Sequence, residues 1–584
     1  MFRFSVRPNQ AHLIDWREWG PEAFQEAQDQ NKPVMVFLAA FWCGFCQRMD
    51  ETSLSEDDTI SLLNAFFIPI RVEESQRPDV DLRYNQGGWP TVIFMSPDGS
   101  HLFSVNFMEP EPFINLLVKV VTLHQQGEAI VDPTEGQASA DDDSATDNDR
   151  APLSPAIVAE IAGMVEGLAD SVNGGYGAQF KFLHPEANDF LMYLYETSGD
   201  SSHLDHVRFT LDKMRGSKTF DAECGGFYRY SSKADWSEPH PEKLLDDQAA
   251  LLSNHLRAFL LTQDSSHRET ALGLVEYLDT TLSRGQAGLF QGCQDYVRED
   301  RDSSSSAMLS VIDDYLYCDA NARAVTAYLD AWWILGLEGC RERAKEVLDL
   351  LWETLRGPDG AMHHYWDGKA LVPGLLGDAT ETGLALLHAY STLHEDTYLR
   401  RAESLAESIA QRHRDHEGGF RDISISGPAS LSRPMKVLAQ NARLAAFFVK
   451  LADLTGKEAH REQAVWALKS FPNAHRNYGA FAAGFGHSLA RLLSLPVIAT
   501  VVGTPGDPSV IEMAQAALTQ LNSGDLVLRF REDQDMPSAK IEIQTGGRPV
   551  LTVSEPSALT HGWLVARTWA KLTNRNHRPT PPKV

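Results

Sequence analysis

Residues 33–46 read PVMVFLAAFWCGFC, and this stretch decides the fold of the first domain. An apolar run of strand length leads directly into Phe41-Trp42-Cys43-Gly44-Phe45-Cys46. A helix is expected to open at the first cysteine. The N-terminus of a helix carries partial positive charge and free N–H groups, which favour a thiolate at Cys43. Cys46 lies one turn on, along the same helix face, where it can attack a mixed disulfide formed by Cys43. Both cysteines are therefore candidate catalytic residues, and Trp42 a candidate substrate contact.

The flanking sequence fits this reading. Residues 56–67 predict a helix, 67–72 a second strand and Thr91–Met95 a third. Pro97-Asp98-Gly99 marks a hairpin turn. A returning strand follows at 101–107, then an amphipathic helix at 111–125. Alternation followed by a hairpin gives a mixed sheet with helices on its faces. Gly88-Trp89-Pro90 stands ahead of the third strand; in a thioredoxin fold, which this pattern resembles, a proline there is usually cis against the cysteine pair, which implies that Pro90 excludes metal and leaves a backbone edge for substrate.

The chain of 584 residues, 43% hydrophobic, is too long for one ordinary domain. Its net charge of −28 repels nucleic acid and anionic membrane, so neither is expected as a partner. No apolar run reaches membrane-spanning length, and the N-terminus lacks the apolar core of a secretory signal. Beyond Cys43 and Cys46, the other four cysteines are scattered through helical sequence without pairing logic, which suggests a reducing, cytoplasmic compartment. The chain divides into an α/β head (1–131), an acidic linker (132–153) containing ADDDSATDND, a long helical region (154–495) and a small α/β segment (496–584) with a disordered tail.

The helical region carries about twelve segments of 3.6-residue apolar periodicity. Six glycine–aromatic turns punctuate them, at Gly174–Tyr176, Gly225–Phe227, Ala287–Phe290, Asp359–Met362, Gly418–Phe420 and Tyr478–Phe481. Two helices separate each turn from the next. Six copies of one helical hairpin predict an (α/α)6 barrel rather than an open solenoid.

The motif WCGFC resembles a thioredoxin active site, with Phe45 where thioredoxins place proline. SLLNAFFIPIRVEESQRPDVDLRY and QGGWPTVIFMSPDG are closer to the thioredoxin-headed domain of unknown function 255, the family that includes the animal spermatogenesis-associated protein 20. NGGYGAQFKFLHP and CGGFYRYSSKADWSEPHPEKLLDDQAAL extend the resemblance over nearly the whole chain, most weakly at its C-terminal end. It implies a multidomain protein: a thioredoxin fold, a six-hairpin glycosidase-like barrel and a small C-terminal α/β segment. Two departures bear on redox chemistry. Phe37 stands where thioredoxins bury an Asp, and Gly44 and Gln47 stand where the family commonly has His.

In such a barrel the helices that follow the glycine–aromatic loops form the inner ring, and their first turns line the mouth. Carboxylates, imidazoles and indoles gathered there suit a sugar. The candidate catalytic residues are His240, Glu242, Asp247, His363 and Asp378. His240 and His363 are a possible epimerase pair, and Glu242 and Asp378 a possible glycosidase pair. Candidate substrate-binding residues are Trp236, Lys243, Asn321, Trp366, Glu381, Arg433 and Asn441. Each acid also has a plainer reading, as charge compensation at a helix N-terminus. No metal or nucleotide motif is apparent, and no cofactor is expected. Two functions follow: a sugar-binding epimerase, isomerase or hydrolase with a thiol site in its head, or a thiol–disulfide oxidoreductase whose barrel selects clients. The expected partner is a small carbohydrate or a thiol/disulfide protein client.

Overall fold

The computed structural model describes residues 2–127, 152–283, 288–299, 307–471, 473–504, 507–521, 525–533 and 538–559. The stretch ADDDSATDND and the tail TNRNHRPTPPKV lie outside these residues.

The head is built on a four-stranded sheet ordered β2–β1–β3–β4, with β1 (Val34–Ala39), β2 (Ile68–Glu73), β3 (Thr91–Met95) and β4 (His101–Val105). β1 runs parallel to β2 and antiparallel to β3, and β4 returns antiparallel to β3. Every residue of β1 is buried, because both faces of this central strand are covered. Met35 and Phe37 face a core with Phe94, Phe113 and Leu117. Val34, Val36 and Leu38 face the opposite way, towards Phe24, Ile68 and Ile70. The head helices are α1 (Pro21–Gln30), α2 (Gly44–Glu51), α3 (Asp57–Phe66), α4 (Pro78–Tyr84) and α5 (Pro110–Gln126). The sequence reading missed α1 and α4. Both start at a proline, and α4 has only seven residues, too few to display periodicity.

Twelve helices follow among the described residues: α6 (Pro155–Gly167), α7 (Pro185–Ser198), α8 (Ser201–Arg215), α9 (Leu245–Thr262), α10 (Ser265–Tyr277), α11 (Cys318–Leu335), α12 (Glu338–Thr354), α13 (Leu376–Leu393), α14 (Asp396–Arg412), α15 (Leu438–Thr455), α16 (Glu458–Leu468) and α17 (Ala483–Leu493). α7, α9, α11, α13, α15 and α17 each pack on the next, and α17 packs back on α7. The ring is closed, as an (α/α)6 barrel requires. Each inner helix pairs with an outer one, and α6 pairs with α17. Inner helices are rich in alanine and buried around much of their circumference, whereas outer helices such as α14 are amphipathic.

Three of the six glycine–aromatic turns share a clamp. An amide on the inner helix bonds both the N–H and the C=O of the aromatic residue: Gln248 on Phe227 (2.7 and 2.8 Å), Asn321 on Phe290 (2.7 and 2.9 Å) and Asn441 on Phe420 (2.8 and 2.9 Å). A buried lysine adds a second tie. Lys181 reaches Asp170 and the Gly177 carbonyl, and Lys243 reaches Asp221 and the Gly225 carbonyl.

Short strands crown the barrel at the N-terminal ends of the inner helices. β5 (Lys181–Phe182) pairs with β6 (Tyr230–Ser231). β7 (Lys243–Leu244), β8 (Cys293–Arg298) and β9 (Met308–Ile312) make a second sheet, and β10 (Leu316–Tyr317), β11 (His363–Trp366) and β12 (Ala370–Pro373) a third. The head sits on this crown. Leu375, Ile423 and Leu431 of the barrel join the head core around Phe24 and Val36. Arg83 of α4 makes a buried ion pair with Asp422, and the Tyr84 hydroxyl accepts from Ser430 N–H.

At the opposite end lies an appendage with sheet order β14–β13–β15–β16: β13 (Val497–Gly503), β14 (Leu526–Glu532), β15 (Lys540–Thr545) and β16 (Arg548–Val553), with α18 (Pro508–Gln520). Arg529 donates to the Asp453 carbonyl near the end of α15, and Val527 joins the barrel core. No helix among the described residues is long and apolar enough to cross a membrane.

Candidate functional site

The thiol motif sits where the sequence places it. Cys43 is the N-cap of α2, and its sulfur accepts from the Cys46 N–H at 3.2 Å. The Cys43 thiol donates to the Trp89 carbonyl at 3.3 Å, beside a cis Trp89–Pro90 bond. Cys46 is buried, and its thiol is held well above the usual range by burial and by Cys43. Phe37 fills the sheet position beneath. A carboxylate stands near Cys46 all the same: Asp50, ion-paired with Arg71 at 2.8 Å. Arg48 is spent on Glu109, at 2.6 Å.

The barrel comes up to this site through β6 and β7. Arg229 lies over the Trp42 ring at 3.9 Å and bonds Glu242 at 2.9 Å. His240 stacks on Tyr230 with centroids 4.1 Å apart, and its Nε2 is 2.6 Å from the Tyr230 hydroxyl. Beside them runs a groove of about 800 Å3, lined by Trp42, Phe45, His240, Pro241, Tyr296 and Met308 among others. Phe45 is 57% exposed, a large apolar side chain presented at the groove edge.

A second space lies beneath the head, inside the mouth. Glu74 and Ser75 descend from the end of β2 to face Asp246, Asp319 and His364 across a cavity of about 180 Å3. Burial pushes Glu74 up to about 7. His364 Nδ1 bonds Asp378 at 2.9 Å, and its Nε2 bonds the Ser75 carbonyl of the head at 2.7 Å. Glu381, on the inner face of α13, is held by Arg323 of α11 (3.3 Å) and Arg443 of α15 (2.6 Å). Burial alone raises the Glu381 pKa, but Arg443 and Arg323 reverse this and hold it at about 2. Asp247, in the first turn of α9, is shifted the other way. Burial and the charge of Asp246 raise it well above the usual carboxylate range, and its Oδ2 has no hydrogen-bond partner among the described residues.

Several expected contacts are part of the framework instead. Asn321 and Asn441 are fully buried and commit their amides to the turn clamps. Lys243 is likewise buried on Asp221. Trp236 is 1% exposed and packs so closely on Gly175, where φ is +71°, that a Cβ there would stand 2.7 Å from its ring. Its indole N–H donates to the Asn173 carbonyl. Trp366 is half-buried in β11 opposite Leu316, and Arg433 is exposed, offering its carbonyl to Arg83. The anticipated pairs divide between clusters. His240 belongs to the thiol groove, while His363 bonds the Leu355 carbonyl of its own loop; its neighbour His364 is the imidazole turned inward. Glu242 pairs with Arg229, and Asp378 with His364.

The sequence reading did not find Arg229, Arg323, Arg443 or Glu74 as site residues. Arg323 falls one turn after Asp319, so helical spacing alone puts both on one inner face. Nothing local points to Glu74, which reaches the site only because the head caps the mouth.

Residues 5–139 match the family model described as "Protein of unknown function, DUF255". The uncharacterized protein B0495.5 of Caenorhabditis elegans is 24% identical over 521 residues, covering 77% of this chain and 70% of its own. Human spermatogenesis-associated protein 20 is 27% identical over 313 residues, 50% of this chain but only 39% of the human protein. Among solved structures, cellobiose 2-epimerase from Bacillus thermoamylovorans B4167 aligns with a TM-score of 0.45 at 14% identity, over 54% of this chain and 88% of its own.

Proposed function

On a chain whose head belongs to the DUF255 family, we propose that the mouth of the barrel beneath that head binds and converts a small carbohydrate. The observation that carries this reading is a pair of acids, Asp247 on α9 and Glu381 on α13, whose surroundings shift them in opposite directions. Glu381 is pinned as a carboxylate between two guanidinium groups, whereas burial and the charge of Asp246 push Asp247 well above the usual carboxylate range, and its Oδ2 has no hydrogen-bond partner among the described residues. Two carboxyl groups with pKa values driven apart by their surroundings are what proton transfer needs. A polyhydroxylated ring supplies oxygens that accept from the Asp247 carboxyl, Arg323 and Arg443. The cavity of about 180 Å3 is lined by Asp246, the residue before Asp247, and by Asp319, one turn before Arg323; it is below the usual range for larger ligands, so the occupant is a single small ring that reaches from it towards Asp247 and Arg323. In this reading Asp247 is the general acid, Glu381 and its arginines position the substrate, and the head closes the chamber against water.

The test is calorimetric titration of the full chain with a panel of neutral mono- and disaccharides. One saturable site is expected, weakened at least about tenfold by Glu381→Gln, the loss of charge-assisted hydrogen bonds. Asp247→Asn is expected to retain binding and lose turnover of the bound sugar, followed by NMR. No binding by any sugar, or equal binding by Glu381→Gln, overturns the proposal.

A second reading is favoured by the groove beside Cys43. Cys43 thiolate attacks a client disulfide and releases one client thiolate; the Cys46 thiol then attacks the mixed disulfide and gives its proton to the departing client sulfur. The products are a Cys43–Cys46 disulfide and a second client thiol, so the client is reduced by two electrons. Cys46→Ser stops this at the mixed disulfide. Defined client adducts on Cys43 support this reading, and their absence, with the dithiol unreactive towards oxidised glutathione, removes it.

A further inference from the structure

We propose that Asp319, His364 and Asp378 bind one divalent first-row cation of the Mn2+ or Zn2+ kind, in the chamber wall beneath the head. One donor atom from each residue lies within 4.8 Å of the others. They come from three elements: Asp319 from the first turn of α11, His364 from β11 and Asp378 from the first turn of α13. Their wide separation in sequence is why no motif announces them.

The imidazole is set up as a ligand is. His364 Nε2–H donates to the Ser75 carbonyl at 2.7 Å, which fixes the ring and turns Nδ1 towards the carboxylates. Nδ1 stands 2.9 Å from Asp378 Oδ1. Two donors at about 2.1 Å from one ion, at right angles, stand about 3 Å apart, so this spacing suits neighbouring positions of a coordination shell.

Asp378 supplies a second, independent observation. It is 1% exposed, and its Oδ2 finds no hydrogen-bond partner among the described residues. A buried carboxylate oxygen without a donor costs free energy on the order of 1–3 kcal/mol, which coordination to a cation removes. The surroundings favour positive charge as well. Glu74 and Asp246 line the same cavity, Asp313 there is already answered by Arg3, and Arg323 is committed to Glu381. The volume of about 180 Å3 leaves room for water ligands, each taking about 30 Å3. One imidazole with two carboxylates is a mixed donor set, suited to Zn2+ or Mn2+ better than to Ca2+ or Cu+.

The competing occupant is a proton on Nδ1, which makes His364 an imidazolium donating to both Asp378 and Ser75. Metal alone distinguishes the two, and its result is independent of any sugar. The full chain is stripped with a chelator and titrated with MnCl2 and with ZnCl2 by calorimetry, with elemental analysis of the dialysed protein. One equivalent per chain is expected, with affinity weakened about tenfold or more in Asp319→Asn and in Asp378→Asn. Circular dichroism checks the fold of both variants; if Asp378→Asn does not fold, the half-buried Asp319→Asn decides. No uptake at millimolar metal, or wild-type affinity in the folded variants, overturns the assignment.

Discussion

Arg229 of the barrel lies on the indole of Trp42 in the head, 3.9 Å from guanidinium carbon to ring centroid, while its Nε holds Glu242 at 2.9 Å. Trp42 is the residue before Cys43. The barrel thus touches the thiol motif itself.

Removing that cover changes thiol access. Arg229→Ala is expected to raise the rate of Cys43 alkylation by iodoacetamide several-fold, read by mass spectrometry of the reduced protein. Cys46 is expected to stay unlabelled at pH 8, because burial and Cys43 hold its thiol protonated. An unchanged rate at Cys43 means that Arg229 does not shield the site.

The ion pair between Arg83 and Asp422 fixes the head to the crown. Both side chains are almost wholly buried, at 3% and 2% exposure, and Asp422 also accepts from the Met435 N–H. Deleting one partner strands the other charge. Asp422→Ala is expected to destabilise the docked head by about 3–5 kcal/mol, measured by urea unfolding followed through the head tryptophans. A loss below about 1 kcal/mol, the range of an exposed pair, contradicts the buried geometry.

The turn clamps make a separate prediction. Asn441→Ala leaves the Phe420 N–H and C=O without their partner, inside the barrel wall. Each buried group so stranded costs about 1–3 kcal/mol. The melting temperature should fall by several degrees, and Asn321→Ala should behave alike at Phe290. Unchanged melting in both variants argues against the clamp.

The sequence carried most of the fold because its markers are local. A strand running into Cys43, Pro-Asp-Gly at the hairpin and six glycine–aromatic turns each announce themselves within a few residues. The site was harder, because residue type does not distinguish a ligand contact from a framework tie. Trp236, Lys243, Asn321 and Asn441 have the chemistry of sugar contacts, yet all four are buried in holding loops. His363 and His364 are adjacent in sequence, and only the pairing of β10 with β11 decides which turns inward. Glu74 and Arg229 belong to the site through docking of head on barrel, which no local pattern encodes.

Glu381 gives the stability a defined dependence on pH. Its folded pKa, about 2, is below the unfolded value near 4.3. The ionised group therefore adds stability above about pH 4.3 that is lost as pH falls towards 2, on the order of 3 kcal/mol. The stability difference between wild type and Glu381→Gln is expected to be largest near pH 7 and to shrink steadily below pH 4. A difference constant from pH 7 to pH 2.5 shows that Glu381 is not held by Arg323 and Arg443.

The sugar proposal meets its most direct test in a crystal of the full chain soaked with the tightest-binding monosaccharide from the titration. Ring density is predicted beneath Glu74 and Ser75, with hydroxyl groups within hydrogen-bond reach of Asp247 and of Arg323 or Arg443. A chamber without ligand, or sugar bound only in the groove beside Trp42 and His240, contradicts the assignment of the mouth as the carbohydrate site.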